Sequence, residues 1–107
     1  TLRYCYIHQS SGPGVVVTGL AAPRLLSNLI TGNGVRPGAG AAGVEVREAA
    51  RPLLADNRIE GNGGPGVLLQ APERLDEIFR WNGFGGAPRE QAVRAATQPR
   101  TAPERRP

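Results

Sequence analysis

Residues 28–33 read Asn-Leu-Ile-Thr-Gly-Asn and residues 57–62 read Asn-Arg-Ile-Glu-Gly-Asn, so the same pattern returns after 29 residues. A Gly-Val step follows each copy, at residues 43–46 and again at residues 66–69. Repeats of about 20 to 30 residues are typical of solenoids, in which each unit buries its apolar face by stacking on the next. A third, weaker copy lies 23 residues earlier and contains Leu2, Cys5, Ile7, Gln9, Ser10 and Gly14-Val15-Val16-Val17.

Apolar and polar side chains alternate within each copy, which is the pattern of a β-strand with one buried face. Three short strands per unit would close a triangular coil, and the inward side chains of successive coils would then lie in columns. The sequence therefore predicts an all-β parallel solenoid of about three to four coils. The predicted columns are Leu2/Leu25/Leu54, Ile7/Ile30/Ile59, Val15/Val44/Val67 and Val17/Val46/Leu69.

A polar or small residue stands between the first two strands of each unit, at Cys5, Asn28 and Asn57. Asn is a poor strand residue, but it tolerates left-handed backbone, so we predict that it turns this corner. Stacked Asn side chains also hydrogen-bond one another in ladders. We predict such a ladder here, with Cys5 as a small substitute at its end. Gly32-Asn33 and Gly61-Asn62 mark a second corner, where Gly supplies a positive φ.

The composition and net charge of the chain argue against two classes of partner, nucleic acids and membranes. The 107-residue chain has 15 Gly, 10 Pro and 13 basic residues that are all Arg, with a net charge of +4. Five Arg and two Glu fall in residues 87–107, so the repeats are nearly neutral. They lack the basic stripe with stacking aromatics that nucleic acid requires, and no window approaches the ~18 apolar residues of a membrane span. We expect neither partner, and the lone Cys5 excludes an internal disulfide.

The two patterns Asn-x-Ile-x-Gly-Asn and Gly-Val-x-Val/Leu resemble those of the right-handed parallel β-helix repeat family, described as carbohydrate-binding and sugar-hydrolysis domains. The resemblance covers residues 2–86 and implies a right-handed parallel β-helix. It also implies an extracellular or periplasmic location. Family members include pectin-type lyases and hydrolases, alginate epimerases, copper-site maturation proteins and substrate-recognition modules of ubiquitin ligases. The leucine-rich repeat is disfavoured, because no Leu-x-x-Leu-x-Leu run precedes the Asn.

We predict β-helix coils over residues 1–86, and a short capping helix followed by a disordered Arg/Pro/Ala-rich tail over residues 87–107. Residues 35–42 are interpreted as a surface insertion in the middle unit. A shift of 20 aligns residues 78–83 with residues 58–63, which puts Glu77 at the Asn corner. Phe79, Trp81 and Phe84 are predicted to cover the end of the columns. At the front no cap is visible, so we expect upstream β-helix coils of the same polypeptide as a partner.

Catalysis on a polysaccharide requires two carboxylates at a separation of roughly 5 to 9 Å, or a cluster of acids around calcium. The predicted outward columns place no two carboxylates on adjacent coils, so we predict no catalytic residue, no metal site and no cofactor. Glu45, Arg47 and Trp81 are the candidate ligand-binding residues, and His8 is expected to be an exposed strand residue.

The predicted function is a non-catalytic binding or scaffold module, and the family resemblance implies extended carbohydrate as its ligand. Two alternatives stay open at this point. One is the terminal coils of a polysaccharide lyase, hydrolase or epimerase whose active site lies upstream. The other is a protein-interaction module, so the expected partner is a polysaccharide or a protein.

Overall fold

The computed structural model of the chain describes residues 1–19, 22–35, 40–47, 50–70 and 74–95. The centre of the predicted insertion and the predicted disordered tail lie outside these residues. Neither described helix is long and apolar enough to cross a membrane. In chain order the elements are β1 (Leu2–Arg3), β2 (Tyr6–His8), β3 (Val15–Val17), β4 (Arg24–Leu26), β5 (Leu29–Thr31), β6 (Val44–Val46), β7 (Leu53–Ala55), β8 (Arg58–Glu60), β9 (Val67–Leu69), α1 (Leu75–Trp81), α2 (Arg89–Ala92) and β10 (Val93–Ala95).

The strands form three parallel sheets, and successive strands along the chain belong to different sheets. The first sheet has the order β1-β4-β7, the second β2-β5-β8 and the third β10-β9-β6-β3. The register pairs Leu25 with Leu54 and Ile30 with Ile59. The chain therefore winds through all three sheets once per coil, which confirms the predicted parallel β-helix.

The predicted columns form the core. Ile30 and Val44 are fully buried, and Leu54 and Ile59 are each 1% exposed. Burial of one such aliphatic side chain stabilises the fold by about 1.5 to 3 kcal/mol, so the stacked columns are the main source of stability. The first coil is different, because its inward residues are covered on one side only and are partly buried. These residues are Leu2, Ile7 and Val15.

Asn side chains form a hydrogen-bonded ladder at the corner between the first and second sheets. The Oδ1 of Asn57 accepts from the backbone N–H of Asn28 at 2.8 Å and from its Nδ2 at 3.0 Å. Asn57 Nδ2 in turn donates to the Leu25 carbonyl oxygen at 2.8 Å. At the front, the backbone N–H of Cys5 donates to Asn28 Oδ1 at 2.9 Å, so Cys5 is the end of this first ladder.

The prediction that Asn itself adopts left-handed backbone at this corner is wrong. The positive φ falls on the preceding residue of each coil, at 57° for Tyr4, 59° for Ser27 and 58° for Asp56. The reason is that the Asn side chain points into the stack, so the backbone must reverse one residue earlier. At the second corner Gly32 and Gly61 have φ values of 71° and 67°, as the sequence predicted.

The fourth coil is offset from the third by 25 residues, not by the predicted 20. Gly83 pairs with Arg58, and Asn82 Oδ1 accepts from the backbone N–H and the Nδ2 of Asn57 at 3.0 and 2.9 Å. Asn82, not Glu77, therefore continues the first ladder. The offset differs because helix α1 stands where a first-sheet strand would be. A helix advances 1.5 Å per residue against about 3.3 Å for a strand, so it uses more residues.

The end of the columns is closed by α1 and by the residues that follow it. Ile78 is 1% exposed and Phe84 is 7% exposed, and Phe84 stacks on Phe79 with ring centroids 5.8 Å apart. Trp81 lies at the end of α1 with 45% of its surface exposed. The prediction that Trp81 covers the core is therefore wrong, because Ile78 takes that place on the inward side of the helix.

The chain after residue 86 contributes to the stack. Helix α2 follows Pro88, where the sequence predicted a capping helix, and is four residues long. Strand β10 was not predicted. It pairs with β9 and places Val93, which is 2% exposed, next to Val67. The third sheet therefore gains a fourth strand from a segment whose Ala/Arg composition resembles that of a helix or a tail.

Candidate functional site

Two exposed aromatic side chains lie at the corner of the first ladder. Each coil has one residue immediately before its ladder residue, and these four residues form a line that we call the corner ridge. The side chains at its two ends are 80% and 45% exposed. Three of the four residues are exposed, and the one on the second coil is half-buried. The corner ridge consists of Tyr4, Ser27, Asp56 and Trp81.

Backbone hydrogen bonds hold the corner ridge in place. The N–H of Tyr4 donates to the Leu26 carbonyl at 3.3 Å, and the N–H of Asp56 donates to the Trp81 carbonyl at 2.8 Å. Neighbouring coils are about 4.8 Å apart, so Tyr4 and Trp81 are separated by three steps, or about 14 Å. Ser27 and Asp56 are on the second and third coils, between Tyr4 and Trp81 along the stack. The corner ridge therefore crosses all four coils, with an aromatic residue on the first and last coils and polar residues on the two between them.

A second aromatic pair lies next to the corner ridge on the first coil. Tyr6 and His8 point outward from β2 and stack with ring centroids 4.0 Å apart at 15°. Tyr6 is 60% exposed, and His8 is exposed as the sequence predicted. Together with Tyr4, these rings make the first coil the most aromatic part of the surface.

The predicted ligand-binding residues do not come together. Glu45 and Arg47 form an ion pair on the outer face of the third sheet, with side chains 22% and 51% exposed. Trp81 lies at the corner between the other two sheets. Of the three candidates, only Trp81 belongs to the corner ridge.

The exposed pair of Glu45 and Arg47 is expected to contribute little to stability. Solvent screens such pairs, so Glu45→Gln should change the free energy of unfolding by no more than about 0.5 kcal/mol. A urea titration of the variant against the wild type measures this difference. A loss of more than about 1 kcal/mol would show that the pair has a structural role.

Carboxylates on the described strands are not paired across coils. Glu45 lies between Val16 and Leu68 in its column, and Glu60 lies next to Thr31. Among the described residues there is no group of three or more His, Cys, Asp or Glu side chains placed to hold a metal ion.

Sequence reasoning missed most of the corner ridge. Tyr4, Ser27 and Asp56 each precede a ladder residue that the repeat pattern had already located, and this spacing is the signal that finds them. Trp81 joins them only with the offset of 25 residues, which depends on helix α1. The repeat spacing is therefore enough to locate the ridge residues of the first three coils, whereas Trp81 in the fourth is found only in the structure.

Comparison with known proteins agrees with this architecture. The family model for the right-handed beta helix region matches residues 1–83, which is most of the chain. Neither a comparison with curated proteins nor one with solved structures gives a match. The matched region contains nine of the ten described strands and both predicted Asn corners. On the strength of this match and of its three stacked parallel sheets, the chain belongs to the right-handed β-helix family.

Proposed function

We propose that this β-helix unit is a non-catalytic module that binds an extended carbohydrate along the corner ridge. The observation that carries the proposal is the position of the exposed aromatic residues Tyr4 and Trp81 at the two ends of the corner ridge. Tyr and Trp present a large apolar face together with a polar tip, which suits a ligand with apolar ring faces and hydroxyl edges. Sugar rings have both kinds of surface.

The spacing favours a long ligand. A molecule that contacts both Tyr4 and Trp81 must extend over about 14 Å, since three coil spacings separate them. Between these contacts, Ser27 can donate or accept a hydrogen bond and Asp56 can accept several. Hydroxyl groups of a sugar chain can fill both roles. Tyr6 adds a further aromatic face at the first coil.

The number of carboxylates on the corner ridge favours binding without catalysis. Asp56 is the single carboxylate on the corner ridge, and its neighbours on adjacent coils are Ser27 and Trp81. A glycosidase mechanism needs a second carboxylate at roughly 5 to 9 Å on the other side of the scissile bond. The residues on this face instead suit recognition of an intact chain.

The test is a glycan array probed with the protein, followed by titration of the best-bound oligosaccharide with ridge variants. Trp81→Ala and Tyr4→Ala are each expected to weaken binding about tenfold, because exposed aromatic contacts dominate such interfaces. Val35→Ala is the matched control, since Val35 is an apolar side chain with 58% exposure outside the corner ridge. The control should bind within about twofold of the wild type.

Circular dichroism of each variant verifies that the fold is retained. Silence on the array, or equal binding by the wild type and both ridge variants, would contradict the proposal.

A further inference from the structure

A second ladder runs along the corner between the second and third sheets. Asn33 Oδ1 accepts from the backbone N–H of Ser10 at 3.0 Å, and Asn33 Nδ2 donates to the Ile7 carbonyl at 3.2 Å. Asn62 repeats both bonds one coil later, to the N–H of Asn33 at 3.0 Å and the Ile30 carbonyl at 3.2 Å. Each carboxamide therefore bridges one N–H and one carbonyl of the preceding coil.

The fourth coil breaks this ladder. Continuing the offset of 25 from the Gly83–Arg58 pair places Ala87 opposite Asn62. Gly85 and Gly86 before it both have positive φ, 65° and 84°, whereas in the earlier coils only the second of these two positions does. The methyl group of Ala87 offers no hydrogen bond. The main chain makes a turn here, with the Ala87 N–H donating to the Phe84 carbonyl at 3.1 Å, and the carboxamide of the earlier coils is replaced by a methyl group.

The next residue removes another bond. In the earlier coils, the residue after the ladder position donates its N–H to the ladder residue of the coil before, from Gly34 to Ser10 and from Gly63 to Asn33, both at 2.8 Å. Pro88 stands at this position in the fourth coil, and proline has no N–H. The Asn62 carbonyl consequently receives no such bond.

Three backbone groups are left without a described partner on this side, and we call them and Ala87 the open step. They are the N–H of Asn62, which donates to no described residue of the fourth coil, and the carbonyls of Asn62 and Ile59, which accept from none. Ile59 donates its own N–H to Gly83, so this edge of the strand faces the fourth coil. The open step adjoins a surface cleft that is also lined by Glu60, Gly64 and Gln91.

We propose that the open step is a binding site for one primary carboxamide group from outside the chain. The group would accept from the Asn62 N–H and donate to the Ile59 carbonyl, which are the two bonds that Asn33 and Asn62 make to the coils before them. A primary amide carries its oxygen and one hydrogen on the same side of the C–N bond. A trans secondary amide carries them on opposite sides and cannot bridge both groups. The ligand is thus an Asn or Gln side chain of a peptide, or a free primary amide.

The test uses acetamide as the probe and the Asn62 amide signal in ¹⁵N-labelled protein as the readout. Acetamide is expected to shift this signal saturably, with half-saturation at about 1 to 100 mM, as suits a four-heavy-atom ligand. N-methylacetamide should bind at least about tenfold more weakly, because it can make one of the two bonds. An unsaturable shift at Asn62, or equal binding of both amides, would overturn the proposal.

Ala87→Asn supplies the missing carboxamide from within the chain. This variant is expected to lose the acetamide response and to melt about 5 °C higher, because the ladder gains a step. Ala22→Asn is the matched control, the same substitution at an exposed residue outside both ladders, and it should keep the response. If Ala87→Asn responds to acetamide as the wild type does, the site is not the open step.

A pair of peptides distinguishes the two possible sources of the amide, a peptide side chain and a free primary amide. An acetylated Gly-Asn-Gly N-methylamide carries its primary carboxamide on the side chain alone, and the same peptide with Asp carries none. Binding of the Asn peptide tighter than acetamide assigns the site to a peptide side chain, and equal affinity assigns it to a free amide. The Asp peptide should give no saturable shift, and a response equal to that of the Asn peptide would overturn the proposal.

Discussion

Replacement of Asn57 with Leu is expected to lower the free energy of unfolding by about 3 to 5 kcal/mol. The Asn57 side chain is 2% exposed and bridges three coils. It donates to the Leu25 carbonyl, accepts twice from Asn28 and donates to the Oδ1 of Asn82. Leu makes none of these bonds. Each buried polar group left without a partner costs about 1 to 3 kcal/mol, and the variant leaves several on both neighbouring coils.

Thermal and urea unfolding measure this loss, and the melting temperature should fall by about 10 °C or more. Gln70→Leu is the control, because it exchanges a carboxamide for Leu at an exposed residue with no ladder role. Its free energy of unfolding should stay within about 0.5 kcal/mol of the wild type. An unchanged midpoint for Asn57→Leu would mean that the ladder does not stabilise the stack.

The second large effect is expected for Gly64→Ala, which should destabilise the protein by about 2 to 4 kcal/mol. A methyl group at Gly64 would collide with the carbonyl oxygen of Gly40 and with the main chain of Ala41. Both contacts are backbone atoms, so no side-chain rotation relieves them. The Gly64 N–H also donates to the Ala41 carbonyl at 2.7 Å, and moving the coils apart would break this bond.

The chain contains its own control for this steric effect. Gly12-Pro13-Gly14 in the first coil corresponds to Gly64-Pro65-Gly66 in the third, but a methyl group at Gly12 meets no atom within 4 Å. Gly12→Ala should therefore be neutral, or should stabilise by about 0.4 to 1 kcal/mol through the unfolded chain. Equal losses for the two variants in urea unfolding would show that backbone conformation, not contact between coils, sets the cost.

The buried columns were predictable because they depend on composition at fixed spacing. Leu25 over Leu54 and Ile30 over Ile59 follow from the 29-residue repeat, since an inward position must be apolar in every coil. The ladder positions Asn28 and Asn57 follow for the same reason, because in each repeat the buried carboxamide bonds to the main chain of the coil before it. A position that is buried in every coil therefore has the same type of residue in every repeat, and this is visible in the sequence.

The fourth coil was less predictable, because its geometry is not periodic. Helix α1 changes the number of residues needed to return to the corner, and this change hid Asn82 and Trp81 from the alignment. Strand β10 was missed because Val93 is its one buried aliphatic residue in a segment rich in Ala and Arg. The identity of the left-handed residue was also missed, since Tyr4, Ser27 and Asp56 share no side-chain chemistry that marks a positive φ.

The corner ridge was hidden from sequence reasoning for a different reason. Exposed residues are under no packing constraint, so Tyr4, Ser27, Asp56 and Trp81 need not resemble one another. Only their position relative to the ladder relates them. A search for similar residues in each repeat therefore finds the core and the ladders but misses the corner ridge.

Helix α1 also has a consequence for how molecules of this protein can associate. An uncovered strand edge offers its unpaired backbone groups to other chains and promotes edge-to-edge growth into fibres. At β7, where a further strand would add to the first sheet, helix α1 packs in its place, and a helix offers no strand edge on which another chain could pair. At this end of the first sheet, the helix therefore blocks the addition of strands from other molecules, and with it the growth of fibres.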